Sequence, residues 1–233
     1  SYNRKHNEAN GEKNKDGADE NFSYNYGVEG DTDNQQILKI RKQQIKNFFT
    51  ILMVSHGTPM ILMGDEMFRT QKGNNNAYCI DNETTWVDWT LKEQHRDLFE
   101  FVRKIIHFRR SHPALKRECF FEKYDKFGNL ITDITWHGVN PFEPDLGYYS
   151  HSIAFMISGF DPIKGVQIDN DIYVILNQWK EPLQFILPPL YGKKWYRVVD
   201  TSLEYPNDFL NNPMPVNGHY IAQPHSSVIM ISY

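Results

Sequence analysis

Two cysteines, Cys79 and Cys119, are all that the 233 residues contain. They are too few for a disulfide framework and point to a reducing compartment. No apolar run approaches the roughly 20 residues of a membrane-spanning helix, and no leader with a basic start and an apolar middle is visible. The formal net charge is only −4, so nothing favours nucleic acid or an anionic membrane as partner. The nine histidines form no close pair at zinc spacing. The amide-rich acidic run at 14–21 has oxygen ligands suited to calcium, but its spacing does not match a helix–loop–helix calcium site. No metal is expected. There are no internal repeats, and the length leaves room for one large or two modest domains. Aromatic residues, in contrast, reach 14%, which suits a sugar binder that stacks rings on pyranoses and equally suits a β-rich core.

The most informative stretch is 54–66, VSHGTPMILMGDE. Met60-Ile61-Leu62-Met63 follows Thr58-Pro59 and ends in Gly64-Asp65-Glu66. A continuous apolar run bounded by Pro and Gly predicts a strand buried on both faces, as in a parallel sheet covered by helices. The polar Gly-Asp-Glu then lies at the C-terminal end of the strand, where ligand sites gather in barrels and open α/β sheets. Upstream, 36–55 carries Leu38, Ile45, Phe48, Phe49, Leu52 and Met53 at helical spacing. Downstream, Thr90-Leu91-Lys92-Glu93 has the pattern of a capping box. It opens a helix with Leu98, Phe101, Val102, Ile105 and Phe108 on one face, stopped by Pro113. The order is helix, buried strand, long polar loop, helix. A buried parallel strand needs neighbours on both sides, and this chain offers none upstream.

Residues 1–35 are rich in Asn, Lys, Asp, Glu and Gly without strand or helix periodicity. Composition alone favours a disordered polar tail; the alternative is a long loop held against a site by its amides and carboxylates. The loop at 67–89 holds Gly73-Asn74-Asn75-Asn76-Ala77-Tyr78-Cys79 and then Asp81-Asn82. Its asparagines either make turns or form a cluster of amides aimed at sugar hydroxyls. After about residue 117 short strands are expected near 119–124, 130–136, 152–158, 171–177, 183–187, 194–199 and 226–232. Phe127-Gly128-Asn129 and Asn217-Gly218 supply turns, and Pro188-Pro189 breaks a strand edge. This reads as an antiparallel sandwich. Its inward residues would be Ile153, Phe155, Ile157, Tyr173, Ile175, Phe185, Leu187, Trp195, Val228 and Met230.

Along 7–30, NEANGEKNKDGADENFSYNYGVEG, the chain resembles the isoamylase and glycogen-debranching branch of the α-amylase superfamily (glycoside hydrolase family 13). The resemblance continues through HGTPMILMGDE at 56–66, GNNNAYCIDN at 73–82 and FRRSHPAL at 108–115. Trp136-His137-Gly138, Glu143-Pro144-Asp145, Leu176-Asn177, Glu181-Pro182-Leu183 and VVDTSL at 198–203 extend it. It implies an α/β plus all-β architecture. Residues 1–115 would be the final portion of a (β/α)8 TIM barrel, with 1–35 a polar loop, 36–55 the seventh helix, 59–63 the eighth strand and 93–112 the eighth helix. Residues 116–233 would be a C-terminal antiparallel β-sandwich domain.

The same resemblance implies retaining hydrolysis of α-1,6 branch linkages in glycogen, amylopectin or limit dextrin, with no organic cofactor. The expected partners are a branched α-glucan and the N-terminal part of the same enzyme. The expected location is cytoplasmic, with a plastid open for a plant or alga. The family's nucleophile, acid and second Asp belong to motifs upstream of Ser1, so no catalytic residue is assigned. Retention needs two carboxyl groups flanking one bond; Asp65 and Glu66 are adjacent and would point to opposite faces of a continuing strand. The chain alone is expected to be inactive. The alternative is a non-catalytic glucan-binding or regulatory module.

Substrate-binding candidates are His6, Asn7, Asn10, Glu12, Asp65, Glu66, Arg69, Asn74, Asn75, Asn76, Tyr78, Asp81 and Asn82, with Asn14 and Asp16 in the same loop. Amide and carboxylate chemistry suits sugars, whose hydroxyls both donate and accept. For each the bland reading is loop ordering, and for Arg69 it is an ion pair with a loop carboxylate. Trp86 either stacks on glucose or covers a helix end; Trp89, Trp136, Trp179 and Trp195 are read as packing residues.

Overall fold

The computed structural model describes residues 1–118, 120–121, 133–161 and 164–233. Two compact units emerge: the first is 1–45 with 60–100, the second 46–59 with 101–233.

Helix α1 (Gln35–Val54) starts where Asn34 Oδ1 accepts the backbone N–H of Gln36 at 3.0 Å and of Ile37 at 3.3 Å, a side-chain cap on otherwise unpaired donors. The apolar spacing is confirmed at Phe49 and Met53, which are buried, but Phe48 faces solvent. In the first unit, the buried Arg41 of α1 donates to the carbonyls of Gly30, Asn25 and Val28 at 2.7–2.8 Å. One guanidinium thereby fixes the 25–30 segment, so residues 1–35 are a built loop rather than a tail. In the second unit, Arg109 donates to the carbonyls of Met53 and Ser55 at 2.6 and 2.8 Å, satisfying acceptors that a helix end leaves open.

The 59–63 segment is not a strand, and Met60 is 88% exposed, with Leu62 and Met63 also exposed. The physical reason is the one its own sequence raises: a strand buried on both faces needs a ladder on each side. Every strand pair among the described residues is antiparallel and lies beyond residue 133. At Gly64 (φ +93°) the chain turns instead into a short 3-10 helix, Asp65–Met67.

The capping box at Thr90 does not form. Thr90 is itself helical and makes no side-chain cap; Asp88 Oδ1 accepts both its N–H at 2.9 Å and its hydroxyl at 2.7 Å. The helix is also broken. α2 (Leu91–Gln94) ends at His95, and α3 (Arg96–Ser111) follows. Leu98, Phe101, Val102, Ile105 and Phe108 of α3 are all buried, as their spacing requires, and Pro113 begins a 3-10 turn.

In the second unit a six-stranded sheet has the order β1-β2-β5-β10-β7-β8, from β1 (Ile134–His137), β2 (Ser152–Ile157), β5 (Ile172–Asn177), β7 (Trp195–Asp200), β8 (Phe209–Val216) and β10 (Ser226–Ser232). β3 (Phe160–Asp161) pairs β4 (Val166–Gln167), and β6 (Leu183–Ile186) pairs β9 (His219–Ala222). The strands expected near 152–158, 171–177, 183–187, 194–199 and 226–232 are all present. The strand expected at 119–124, with the Phe127-Gly128-Asn129 turn and Cys119, lies wholly or largely outside the described residues; of the one expected at 130–136, the described part forms β1 (Ile134–His137). β8 and β9 escape a reading by composition, because Pro213 and Pro215 lie inside β8. Proline is tolerated there because β8 is an edge strand that, among the described residues, pairs only β7.

The sheet buries both faces. On one, Tyr173, Ile175, Val228, Met230 and Ala154 meet Phe185, Leu187, Trp195 and Ala222. On the other, cross-strand pairing aligns Phe209, Val199, Ile229, Val174, Phe155 and Trp136, and Phe209 packs edge-on against Phe101 and Phe108 of α3. Ile153, Phe155 and Ile157 therefore belong to the face opposite to the one expected: Ala154 and Met156 pair with Ile175 and Tyr173. Trp195 is a core residue, but Trp136 is half exposed beside Phe155 and Trp89 is exposed. Trp179 is partly buried and stacks on His151.

Candidate functional site

Within the first unit, the loop around residues 5–18 and the loop around residues 73–76 are joined by side-chain amides. Asn7 is fully buried. Its Nδ2 donates to Asn75 Oδ1 at 2.8 Å and to the Asp16 carbonyl at 2.9 Å, while its Oδ1 accepts the Asn75 N–H at 3.0 Å. Its own N–H donates to Asn14 Oδ1 at 2.9 Å. Asn10 Nδ2 donates to Asp16 Oδ2 at 2.6 Å and to the Asn76 carbonyl at 2.9 Å, and Asn10 Oδ1 accepts from Asn74 Nδ2 at 2.7 Å. Asn76 Nδ2 also reaches Asp16 Oδ2, at 2.9 Å. Two amide donors on one carboxylate oxygen hold the Asp16 carboxyl below the usual carboxylate range.

Close approach makes glycine necessary at Gly17, whose φ is +71° and where a Cβ would sit 2.3 Å from Asn75 Oδ1. Gly73, at φ +79°, lies against Tyr2 and His6 in the same way. His6 anchors the rim: its N–H donates to the Gly73 carbonyl at 2.9 Å, and its Nε2 is 3.0 Å from Glu29 Oε1. The Asn3 N–H, His6, and the Asn25 amide bring the Glu29 carboxyl down to about 2.

The remaining candidates separate into two groups. Glu66 turns back to accept the Gly64 N–H at 2.8 Å. The Asp65 carboxyl is raised, first by desolvation and then by the neighbouring Glu66. Since the chain turns at Gly64, the two carboxylates do not stand on opposite faces of a strand. Arg69 donates to the carbonyls of Trp86, Thr84 and Thr85 rather than to a carboxylate. Asp81 Oδ1 accepts the Trp86 indole N–H at 2.8 Å, and Asn82 Oδ1 accepts the Thr84 N–H at 2.9 Å. Glu66, Arg69, Asp81 and Asn82 order the 64–86 loop. By contrast Glu12 is exposed, and Tyr78 is 86% exposed, directly after the asparagine run.

The structure thus brings Asn7, Asn10, Asn14, Asp16, Asn74, Asn75 and Asn76 into one network and leaves Glu12 and Tyr78 at the surface. Sequence reasoning omitted Arg41 and Glu29, which hold the first loop; no local pattern marks them, because Arg41 binds backbone carbonyls and Glu29 binds the backbone N–H groups of Asn3 and Arg4 together with His6 and Asn25. Chemically the network is a rigid surface of donors and acceptors. It contains no carboxylate pair arranged around a bond.

Residues 135–230 match the family model "Isoamylase 1-3, C-terminal". The chain is 40% identical to isoamylase 3, chloroplastic, of Oryza sativa over 99% of its own length and 28% of that protein. It is 39% identical to the glycogen operon protein GlgX homolog of Mycobacterium tuberculosis over 87% of its length and 30% of that protein. The chain therefore spans less than a third of the length of these relatives. In fold it resembles a pullulanase from Bacillus acidopullulyticus, with TM-score 0.62, 21% identity and coverage of 86% of this chain and 21% of that one. No helix of the described residues is long and apolar enough to cross a membrane. Over most of its length the chain is similar to part of isoamylases and of glycogen-operon proteins, and its residues 135–230 match the C-terminal model of isoamylases 1–3.

Proposed function

We propose that this chain is the C-terminal part of a retaining glycoside hydrolase that cleaves α-1,6 branch linkages in glycogen, amylopectin or limit dextrin. The observation that carries the reading is the match to isoamylase 3 from rice, 40% identical over 99% of this chain. On this reading the catalytic Asp, Glu and second Asp stand upstream of Ser1, and the chain alone does not hydrolyse. Residues 1–115 close a (β/α)8 barrel, and residues 116–233 form the β-domain. The 59–63 run takes up strand structure only with barrel strands beside it; its exposed Met60, Leu62 and Met63 support this, since apolar side chains in such a run gain from burial.

The amide network is read as a substrate-side surface. Asn7, Asn10, Asn74 and Asn75 set its shape through bonds to one another. Asn76 belongs to it, His6, Glu12 and Tyr78 border it and offer ring faces and hydroxyl partners to glucose units, and Asp65, Glu66, Arg69, Asp81 and Asn82 shape the loop beside it. The location is cytosolic or, in a plant or alga, plastidic. The natural protein, detected in a cell extract with an antibody to residues 133–233, should run several times larger than 27.5 kDa. A band at this chain's own mass would leave the catalytic carboxylates unsupplied and overturn the reading.

A further inference from the structure

Glu29 gathers hydrogen-bond donors from four positions of the first loop. Its Oε2 accepts the Asn3 N–H at 2.9 Å and the Asn25 amide at 2.8 Å. Its Oε1 accepts the Arg4 N–H at 3.1 Å and meets His6 Nε2 at 3.0 Å. The backbone on either side is fixed as well. Val28 and Gly30 give their carbonyls to the buried Arg41, each at 2.7 Å, and the Gly30 N–H donates to the Ser1 carbonyl at 2.8 Å. A carboxylate that these donors keep ionised can only accept. His6 is therefore the donor in their contact, and its ring proton sits on Nε2.

The ring is held on other sides too. The His6 N–H donates to the Gly73 carbonyl at 2.9 Å, and the Tyr2 ring stands 5.3 Å away at 65°. A Cβ on Gly73 would lie 2.7 Å from His6 Cδ2, so the ring lies directly against that glycine. Nδ1 is what these contacts leave open. In a neutral imidazole protonated at Nε2, Nδ1 is an acceptor. Among the described residues it has no hydrogen-bond partner and is not one of the buried polar atoms; the side chain is 39% exposed. The next residue, Asn7, is fully buried at the centre of the amide network, which places this acceptor on the rim of that surface.

An exposed histidine in water samples several rotamers and both tautomers. Here ring and tautomer are set before a partner arrives, so binding loses little side-chain entropy. The Glu29 charge behind the ring disfavours an anionic partner, and a bare nitrogen lone pair takes an O–H or N–H donor. We propose that Glu29 is a positioning residue of the substrate-side surface: it holds His6 in the Nε2–H tautomer, so that Nδ1 accepts a hydroxyl hydrogen of the bound sugar. Glu29 acts only through His6. The identity of the sugar rests on the debranching reading above; the tautomer and the open acceptor rest on the geometry of this loop.

Nitrogen-15 spectra of the 233-residue chain at about pH 8, where an ordinary imidazole is neutral, read the tautomer with no sugar present. The His6 proton should sit on Nε2 in the parent and spread over both nitrogens in Glu29→Leu. Maltoheptaose has no branch to cut, so its dissociation constant from the full-length natural protein reads binding alone. His6→Gln keeps a donor for Glu29 but has no acceptor in the place of Nδ1. It should bind about three- to tenfold more weakly, the worth of one neutral hydrogen bond, and Glu29→Leu should weaken binding as well. His6→Asn, whose Oδ1 takes the place of Nδ1, should bind more tightly than His6→Gln. A parent proton on Nδ1, a tautomer indifferent to Glu29→Leu, no binding by the parent, or equal binding by His6→Gln overturns the proposal. A melting temperature that His6→Gln lowers in the full-length protein but not in the 233-residue chain would assign Nδ1 to a contact with the upstream part of the protein and overturn it too. Branch release from amylopectin by the natural protein decides the debranching reading separately from each of these results.

Discussion

Asn7 and Asn75, 68 positions apart, bond reciprocally: Asn7 Nδ2 donates to Asn75 Oδ1 at 2.8 Å, and the Asn75 N–H returns to Asn7 Oδ1 at 3.0 Å. This is the geometry of a backbone pair built from one side chain. It joins the first loop to the triple-asparagine loop without a strand ladder. Asn7→Ala removes both bonds and the one from Asn7 Nδ2 to the Asp16 carbonyl. Asn75 is exposed, so water can take up its freed groups and each lost bond costs about 0.5–1.5 kcal/mol; loss of protection should reach both loops. Hydrogen exchange should show faster exchange at the Asn75 and His6 amides, with the β10 amides unchanged. Unaltered exchange at Asn75 would mean that the pair does not order the loops.

Gly17→Ala should be at least as damaging as the loss of an amide. The left-handed backbone alone costs a non-glycine residue about 1–2 kcal/mol, and the new Cβ meets Asn75 Oδ1 and Asn7 Nδ2. A fall in melting temperature larger than that of Gly11→Ala is expected. Gly11 has a similar φ of +79° with nothing within 4 Å, so it separates the clash from the backbone term.

In the second unit Lys46 Nζ meets Asp208 Oδ2, with side-chain exposures of 7% and 1%. Lys46→Met leaves a buried carboxylate without its cation, and breaking such a pair costs about 3–5 kcal/mol. The double change Lys46→Met/Asp208→Leu removes both charges and should be milder than either single change. Urea melts of the four proteins form the cycle that checks this.

Stability should also fall in mild acid because of His137. Burial lowers its imidazole to about 4, and the neutral ring accepts the Phe142 N–H. The unfolded chain titrates near the ordinary value of 6.5, so between these two values it binds more protons than the folded chain. Stability is then fully present above pH 6.5 and declines as the pH falls toward 4. His137→Gln should flatten this part of the profile measured by thermal melts across that range. An unchanged slope would assign the acid sensitivity to other groups.

Much of the second unit was legible in the sequence. β5 and β10 are dense in β-branched residues, Asn217-Gly218 marks the turn between β8 and β9, and Pro188-Pro189 marks the end of β6. The face of β2 was not legible. Ile153 and Phe155 are larger than Ala154, but both faces of this sheet are buried, so alternation carries no sign; only the pairing of Ala154 with Ile175 settles it. The order of residues 1–34 was hidden for another reason. It depends on Arg41 reaching three carbonyls and on Asn7 meeting Asn75, and neither partnership has a local signature. At 59–63 the sequence states a preference that these residues do not express, because strand structure is a property of neighbours as well as of the run itself.

The most direct test of the central claim is the chain profile released from amylopectin by the natural protein, captured with the antibody to residues 133–233. The account predicts linear α-1,4 chains and new reducing ends from the captured protein, and none from the 233-residue chain under the same conditions. Captured protein that binds amylopectin but releases no linear chains would contradict it.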